Sequence, residues 1–94
     1  MIGRIGKMKI KNGFVLREIA GQTVVAALGS AAQSFNGMIK LNSTGKLIWE
    51  LLEKERDEAQ IVEAMLEEYD IDRATVERDV ARVIKTLQEA NILE

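Results

Sequence analysis

The fourteen residues 39–52, which read IKLNSTGKLIWELL, decide the fold of this chain. Within them the spacing of apolar residues changes from every second position to every third or fourth position. Residues 39–41 alternate apolar, polar, apolar, which is typical of a short strand. The residues that follow form the apolar stripe of an amphipathic helix: Leu47, Ile48, Leu51 and Leu52. Either Asn42 or Ser43 can cap that helix by accepting a hydrogen bond from a free N–H of its first turn.

Two further strands are predicted upstream of this stretch. Residues 14–19 and 23–28 are rich in apolar and β-branched side chains, and the short turn at Gly21-Gln22 between them favours an antiparallel hairpin. Residues 29–37 are mostly small and polar and predict a loop. Residues 38–41 complete a third strand, so the first half of the chain predicts a small antiparallel sheet.

Two more amphipathic helices are predicted after the first one. Asp57-Glu58-Ala59-Gln60 has the capping-box pattern that starts a helix, and Asp72 caps the last helix. The last helix carries the clearest apolar arc, formed by Val76, Val80, Val83, Ile84 and Leu87. Asn91 tolerates the left-handed conformation and can end that helix. Strands followed by helices indicate an α+β domain, a three-stranded antiparallel sheet followed by a three-helix bundle of the winged helix-turn-helix type.

The composition limits the chemistry that such a domain can perform. The chain has 94 residues, of which 47% are hydrophobic, and this suits one small globular domain with one modest core. It contains no cysteine and no histidine, which excludes disulfides, thiolate chemistry and the usual proton-transfer group near neutral pH. Because no motif organises the remaining carboxylates and lysines, we expect a protein that is not an enzyme and holds no metal or cofactor.

Charge is distributed unevenly along the chain. Residues 1–46 carry seven bases and one acid, whereas residues 47–94 carry six bases and fourteen acids. This asymmetry is typical of a basic binding arm, and equally of two halves that neutralise each other when folded. We expect residues 1–13 to form a basic, frayed arm with a short strand near residues 8–11, ahead of a single domain over residues 14–94. No apolar run has the length of a membrane span and no signal peptide opens the chain, so a cytoplasmic protein that does not bind membranes is expected.

Three segments together resemble the PqqD family. Residues 39–52 resemble its central strand, which ends in Leu-Asn, and the following helix of the type x-T-[AG]-x-x-[IL]-W-x-L-L. Residues 60–72 resemble its acidic second helix and a Tyr-Asp-Val-Asp-like turn, and residues 76–93 resemble its closing helix with a Gly-Leu-Leu-like end. The resemblance covers about residues 14–93. It departs from the family where the usual Asp-Gly turn after the first helix is missing and where Asn91 replaces the usual glycine.

The resemblance implies a peptide-binding adaptor. Members of the PqqD family bind the leader of a ribosomally made precursor peptide and present it to a modifying enzyme, commonly a radical-SAM protein, as in PQQ biosynthesis. In the family the leader adds as a strand to the third β-strand and lies in a groove beside the last helix. The peptide-binding residues that the resemblance implies here are Met38, Ile39, Lys40, Leu41, Asn42, Arg78, Ala81, Arg82 and Lys85. A free edge strand also allows a homodimer through that edge.

The residues themselves fit this role but leave a plainer interpretation open. Arg78, Arg82 and Lys85 follow helical spacing along one side of the last helix. They can pair with an acidic leader or form an ordinary solvated face. Ile39 and Leu41 can serve the core in either case, because strand addition needs only their backbone.

A winged helix-turn-helix protein that binds DNA is the alternative function. The last helix would then contact phosphates through its bases, which are Arg73, Arg78, Arg82 and Lys85. Against this, residues 47–94 carry a net charge of −8, which repels DNA. Nucleic acid is therefore not the favoured partner.

Overall fold

A computed structural model describes residues 6–35 and 38–94, and these residues form a small sheet and a layer of helices. The elements are β1 (Phe14–Ile19), β2 (Gln22–Ala27), α1 (Ala31–Ser34), β3 (Lys40–Leu41), α2 (Ser43–Leu51), α3 (Glu58–Glu68) and α4 (Arg73–Glu89). The three-stranded antiparallel sheet and the three long helices confirm the predicted α+β class. The loop predicted over residues 29–37 is wrong in part, because it contains the four-residue helix α1. Residues 36–37 lie outside the described residues.

The hairpin between β1 and β2 turns one residue earlier than the sequence predicts. Ile19 pairs with Gln22, so the turn consists of Ala20 and Gly21 rather than Gly21-Gln22. Both turn residues have positive φ, 52° for Ala20 and 79° for Gly21. This is the pattern of a type I′ turn, whose twist matches that of the strands, and it places Ala20 in a conformation that alanine disfavours.

The strain at Ala20 gives a test of the hairpin geometry. Ala20→Asn should raise the free energy of unfolding by about 0.5–1 kcal/mol, because it creates the Asn-Gly pair that type I′ turns prefer. Urea denaturation measures the change, with Ala59→Asn in α3 as the control that should destabilise the protein instead. A loss of stability in both variants would contradict the left-handed assignment.

The third strand is shorter than the predicted residues 38–41. Only Lys40 and Leu41 form β3, which pairs antiparallel with β2 through Val24 and Thr23 respectively. The backbone C=O of Ile39 extends the pairing by accepting a hydrogen bond of 2.9 Å from the N–H of Val25. The sheet order is β1-β2-β3, so β2 is central and β3 lies at one edge.

All three long helices begin at the residues that the sequence predicts. The side chain of Asn42 accepts a hydrogen bond of 2.8 Å from the N–H of Gly45, which selects it over Ser43 as the cap of α2. Asp57 caps α3 and Asp72 caps α4. Hydrogen bonds from the side chain and the backbone of Thr75 hold the pKa of Asp72 below its ordinary value. Its contribution to stability is therefore present above the pKa of the unfolded chain and is lost as the pH falls through the lower folded value.

The capping box of α3 carries a specific stability prediction. The Asp57 side chain accepts from the Gln60 N–H at 2.8 Å, and the Gln60 side chain accepts from the Asp57 N–H at 2.9 Å. Asp57→Ala should therefore lower the free energy of unfolding by about 1 kcal/mol, whereas Asp57→Asn keeps an acceptor and should cost a few tenths. Urea denaturation of both variants checks this, and equal stabilities would argue against the cap.

The core lies between the helices and one face of the sheet. Its fully buried members come from α2, α3, α4 and their ends: Ile48, Trp49, Leu52, Ile61, Met65, Val76, Val80, Leu87 and Ile92. From the sheet, Val25 is buried, while Phe14 and Leu16 pack against the cluster from β1. Alternate strand residues therefore face the helices, as the two-residue period of a strand requires. No helix among residues 6–35 and 38–94 combines the length and the apolar character that crossing a membrane demands.

Residues 8–11 are anchored to the helical layer. Met8 and Arg56 exchange two backbone hydrogen bonds, of 2.7 and 3.0 Å. Ile10 donates its N–H to the C=O of Leu52 and is only 7% exposed. On its other side the segment forms backbone hydrogen bonds with the C-terminal tail. The short strand predicted near residues 8–11 is present as two isolated antiparallel bridges, Met8 with Arg56 and Ile10 with Leu93. The frayed character expected of the arm is wrong for these residues, because they join two parts of the chain and bury an isoleucine. Residues 1–5 lie outside the described part.

Candidate functional site

The outer edge of β3 offers backbone groups that the sheet does not use. Opposed residues in an antiparallel ladder alternate between pairs that exchange two hydrogen bonds and pairs that exchange none. Because the C=O of Ile39 bonds to β2 through Val25, the next pair, Lys40 with Val24, exchanges none. The N–H and C=O of Lys40 therefore point away from the sheet. Within residues 6–35 and 38–94, no further strand pairs with this side of β3.

A groove of about 330 Å³ runs between this edge and α4. We call it the β3 groove, and its lining residues are Ile39, Lys40, Leu41, Asn42, Gly45, Arg82, Val83 and Thr86. The apolar members of the lining, Ile39, Leu41 and Val83, are partly buried and pack against the core. An extended chain laid along β3 would therefore contact apolar surface on its inner side.

Two exposed cations border the β3 groove. Lys40 is exposed, and the side chain of Arg82 is 67% exposed although it pairs with Asp79 at 3.4 Å. An exposed pair of this kind contributes little to stability, so Arg82 can turn toward a ligand at small cost. The groove thus combines an apolar wall, free backbone groups and positive charge, which suits an extended peptide with acidic side chains.

Gly45 holds the strand and the start of α2 close together. A Cβ atom at Gly45 would lie 3.2 Å from Cδ2 and 3.3 Å from Cβ of Leu41, closer than side chains normally approach. The same glycine donates its N–H to the capping side chain of Asn42. The close contact at Gly45 and the cap at Asn42 therefore fix the position of β3 relative to α2.

The structure brings some of the predicted site residues together and separates others. Those that line the β3 groove are Ile39, Lys40, Leu41, Asn42 and Arg82. Met38 precedes β3 and is 70% exposed, outside the groove lining. Ala81 and Lys85 line a different depression, beside the N-terminal segment. Arg78 lines neither this depression nor the β3 groove. Three helical positions turn a side chain by about 60° around the axis, which separates Lys85 from Arg82.

Three groove residues were missed by the sequence analysis. Val83 was assigned to the core arc, and the structure shows it half-buried at the border of that arc. Thr86 carries no pattern that singles it out, and its hydroxyl donates to the backbone C=O of Arg82. Gly45 had a usable signal, because a glycine in the first turn of a helix directly after a strand indicates close backbone approach.

The described residues offer no obvious centre for metal chemistry. In the part of the chain that the structure describes, no three acidic side chains gather closely enough to hold a metal ion. The chemistry available in the β3 groove is hydrogen bonding, apolar contact and charge attraction. These are the interactions of a binding site.

One family model and two solved structures are similar to this chain. The family model described as coenzyme PQQ synthesis protein D (PqqD) matches residues 22–93. The solved structure of TbiB1 in complex with the TbiA(beta) leader peptide is 32% identical in sequence, with a TM-score of 0.68, and the match covers 92% of this chain and 94% of that chain. The solved structure of lasso peptide synthetase B1 complexed with the leader peptide is 21% identical, with a TM-score of 0.70 over 93% of this chain and 96% of that chain, and shows the same fold. No curated protein matches the chain.

The family assignment follows from the extent of these matches. The family model spans well over half of the chain and includes β2, β3 and all three long helices. The 32% identical relative aligns over nearly its whole length. This chain belongs to the PqqD family.

Proposed function

We propose that this chain is a peptide-binding adaptor that takes up the leader of a ribosomally made precursor peptide as an additional strand on β3. The observation that carries the proposal is the pair of outward-pointing backbone groups of Lys40, bordered by the β3 groove. The family membership supports it, as does the 32% identical relative, TbiB1, which was solved in complex with the TbiA(beta) leader peptide. The adaptor performs no chemistry itself and presents the peptide to a separate enzyme.

Backbone and side chains would contribute differently to leader binding at this site. The backbone of the leader would exchange hydrogen bonds with Lys40, which gives affinity that does not depend on sequence. Alternate leader side chains would enter the β3 groove against Val83 and Leu41, and acidic ones would meet Lys40 or Arg82. Met38, exposed at the end of the strand, offers a soft apolar contact that adapts to different leaders.

The partner that receives the peptide is a modifying enzyme, and the radical-SAM type stays a prediction from the resemblance. Because its substrate is made on the ribosome, the complex is expected in the cytoplasm. A homodimer through the edge of β3 also stays a prediction, and it would compete with the leader for the same backbone groups.

Calorimetry with the leader peptides encoded beside the gene tests the proposal. We expect a dissociation constant near the micromolar range, or about −8 kcal/mol, since an extended peptide loses much of its contact energy to ordering. The proposal would be contradicted if no candidate peptide, at concentrations of hundreds of micromolar, produced binding heat or changed the spectrum of the protein. The DNA-binding alternative gains no support from the family match, and a salt-dependent gel shift with this chain would be needed to revive it.

The two flanks of α4 are expected to contribute unequally to leader binding. Arg82→Glu should weaken the binding of an acidic leader by about tenfold, because it replaces an attractive charge in the β3 groove by a repulsive one. Lys85→Glu makes the same charge change outside that groove and should cost less than about threefold. Titration of both variants checks this, and equal losses would show that the net charge of the helix matters rather than the groove.

A further inference from the structure

The sheet has a second free edge, on β1, opposite the proposed leader site. The two-residue turn makes Ile19 and Gln22 a hydrogen-bonded pair, so every second residue of β1 bonds to β2. Leu16 and Glu18 fall in the other set, and their N–H and C=O groups point outward. No hydrogen bond to these backbone groups, and no strand beside them, is present among the described residues.

This edge is bordered by α2 in the way that β3 is bordered by α4. A groove of about 360 Å³, which we call the β1 groove, lies between them. Its lining residues are Val15, Leu16, Arg17, Glu18, Lys46, Glu50 and Glu53. Lys46 and Glu50 lie one helical turn apart on the same face of α2, and Glu53 follows in the turn after the end of that helix.

The charges of the two edges are opposite in sign. Glu18 and Lys46 pair with each other at 3.8 Å. Glu50 and Glu53 are exposed and form no ion pair within the described ranges 6–35 and 38–94. The β1 groove therefore carries three carboxylates, Glu18, Glu50 and Glu53, against two cations, Arg17 and Lys46, beside free backbone groups. The charged lining of the β3 groove is cationic throughout.

We infer that the β1 edge is a second strand-accepting site, whose occupant is an extended, lysine- or arginine-bearing segment of the protein that receives the peptide. Backbone pairing with Leu16 and Glu18 would hold the segment, and Glu50 and Glu53 would select its charge. The identity of that protein rests on the proposed adaptor function, but the site itself does not. Strands added to β1 and to β3 would lie about 19 Å apart across the sheet, so both can be bound at once.

A second copy of this chain is a poorer occupant of the same edge. Of the two edges that a copy has free, β1 would bring the carboxylates of Glu50 and Glu53 against their own counterparts, and β3 is two residues long and carries one cation, Lys40. The leader would also cover β3 in the loaded adaptor. A separate basic segment satisfies the free carboxylates without displacing the leader.

The test uses the isotope-labelled full chain and a short synthetic peptide in which lysine alternates with threonine. We expect saturable amide shifts at Leu16 and Glu18 at about millimolar peptide, with the Lys40 amide unchanged. The same peptide with N-methyl groups on alternate residues keeps its charge but loses its edge donors, and should bind at least about tenfold more weakly. The same amide spectra, recorded on the peptide-free protein at several dilutions, report whether copies of the chain pair with each other.

Matched charge variants separate the β1 site from general attraction. Glu50→Lys with Glu53→Lys should weaken the peptide about tenfold, whereas Glu67→Lys with Glu68→Lys, an equal charge change on α3, should change it less than about threefold. In both double variants the affinity for the leader at β3 should stay within about threefold of that of the unmodified chain. Leader binding therefore tests the adaptor function separately from the β1 site.

Each of the opposite results would overturn the inference. The first is that the amides of Leu16 and Glu18 show no saturable shift, or shifts that depend on protein concentration alone. The second is that the N-methylated peptide binds as tightly as the unmodified one. The third is that the α3 double variant loses as much peptide affinity as the α2-side double variant.

Discussion

Lys40→Pro is expected to weaken leader binding by about thirtyfold, or about 2 kcal/mol, while the protein stays folded. Proline removes the one N–H of β3 that points to the free edge, and a leader carbonyl would be left without its donor. The hydrogen bonds between β2 and β3 involve the neighbours of Lys40 and not Lys40 itself, so the sheet survives. Calorimetric titration with the leader measures the loss.

Lys40→Ala is the matched control for this prediction. It removes the charge and keeps the N–H, so it should reduce affinity less than about fivefold. A leader N-methylated at the residue opposite Lys40 repeats the test on unmodified protein, in case the proline variant unfolds. Equal affinities for the alanine and proline variants, together with undiminished binding of the N-methylated leader, would rule out backbone pairing at this position.

Trp49→Ala is expected to cause the largest loss of stability, about 4 kcal/mol. Trp49 is 1% exposed and lies in the core cluster with residues from α3 and α4. Replacing the indole ring by a methyl group removes its apolar contacts and leaves a cavity that the surrounding helices fill only in part. Because a domain of this size has about 5–15 kcal/mol in total, the variant should be near its unfolding threshold at room temperature.

Urea denaturation followed by circular dichroism measures this effect. Trp49→Phe keeps most of the apolar contact and should lose about half as much stability as the alanine variant. If Trp49→Ala cost less than about 1 kcal/mol, the placement of this side chain at the centre of the core would be wrong.

Much of the fold can be predicted because its signals are local. Asn42, Asp57 and Asp72 are helix caps recognisable from neighbouring residues, and the structure has all three helices beginning there. The hairpin position was missed by one residue because Ala20 gives no sign of the left-handed conformation that it adopts. The anchoring of residues 8–11 could not be seen because their partners lie near Leu52 and at the opposite end of the chain.

The candidate site divides in the same way between local and long-range information. The edge position of β3 follows from the order of the strands and the helix that succeeds them. Which flank of α4 faces that edge depends on how α4 crosses the sheet, which no periodicity encodes. Arg82 and Lys85 are therefore equivalent in the sequence, although only Arg82 lines the β3 groove. Val83 was hidden because the same residue serves both the core and the groove.

Amide hydrogen exchange at Lys40, with and without leader peptide, tests the central claim most directly. The N–H of Lys40 has no partner in the sheet, so it should exchange rapidly in the free protein and slow by at least about tenfold when the leader is bound. Unchanged rapid exchange of this amide, in a complex that calorimetry shows to be saturated, would contradict the addition of a strand at β3.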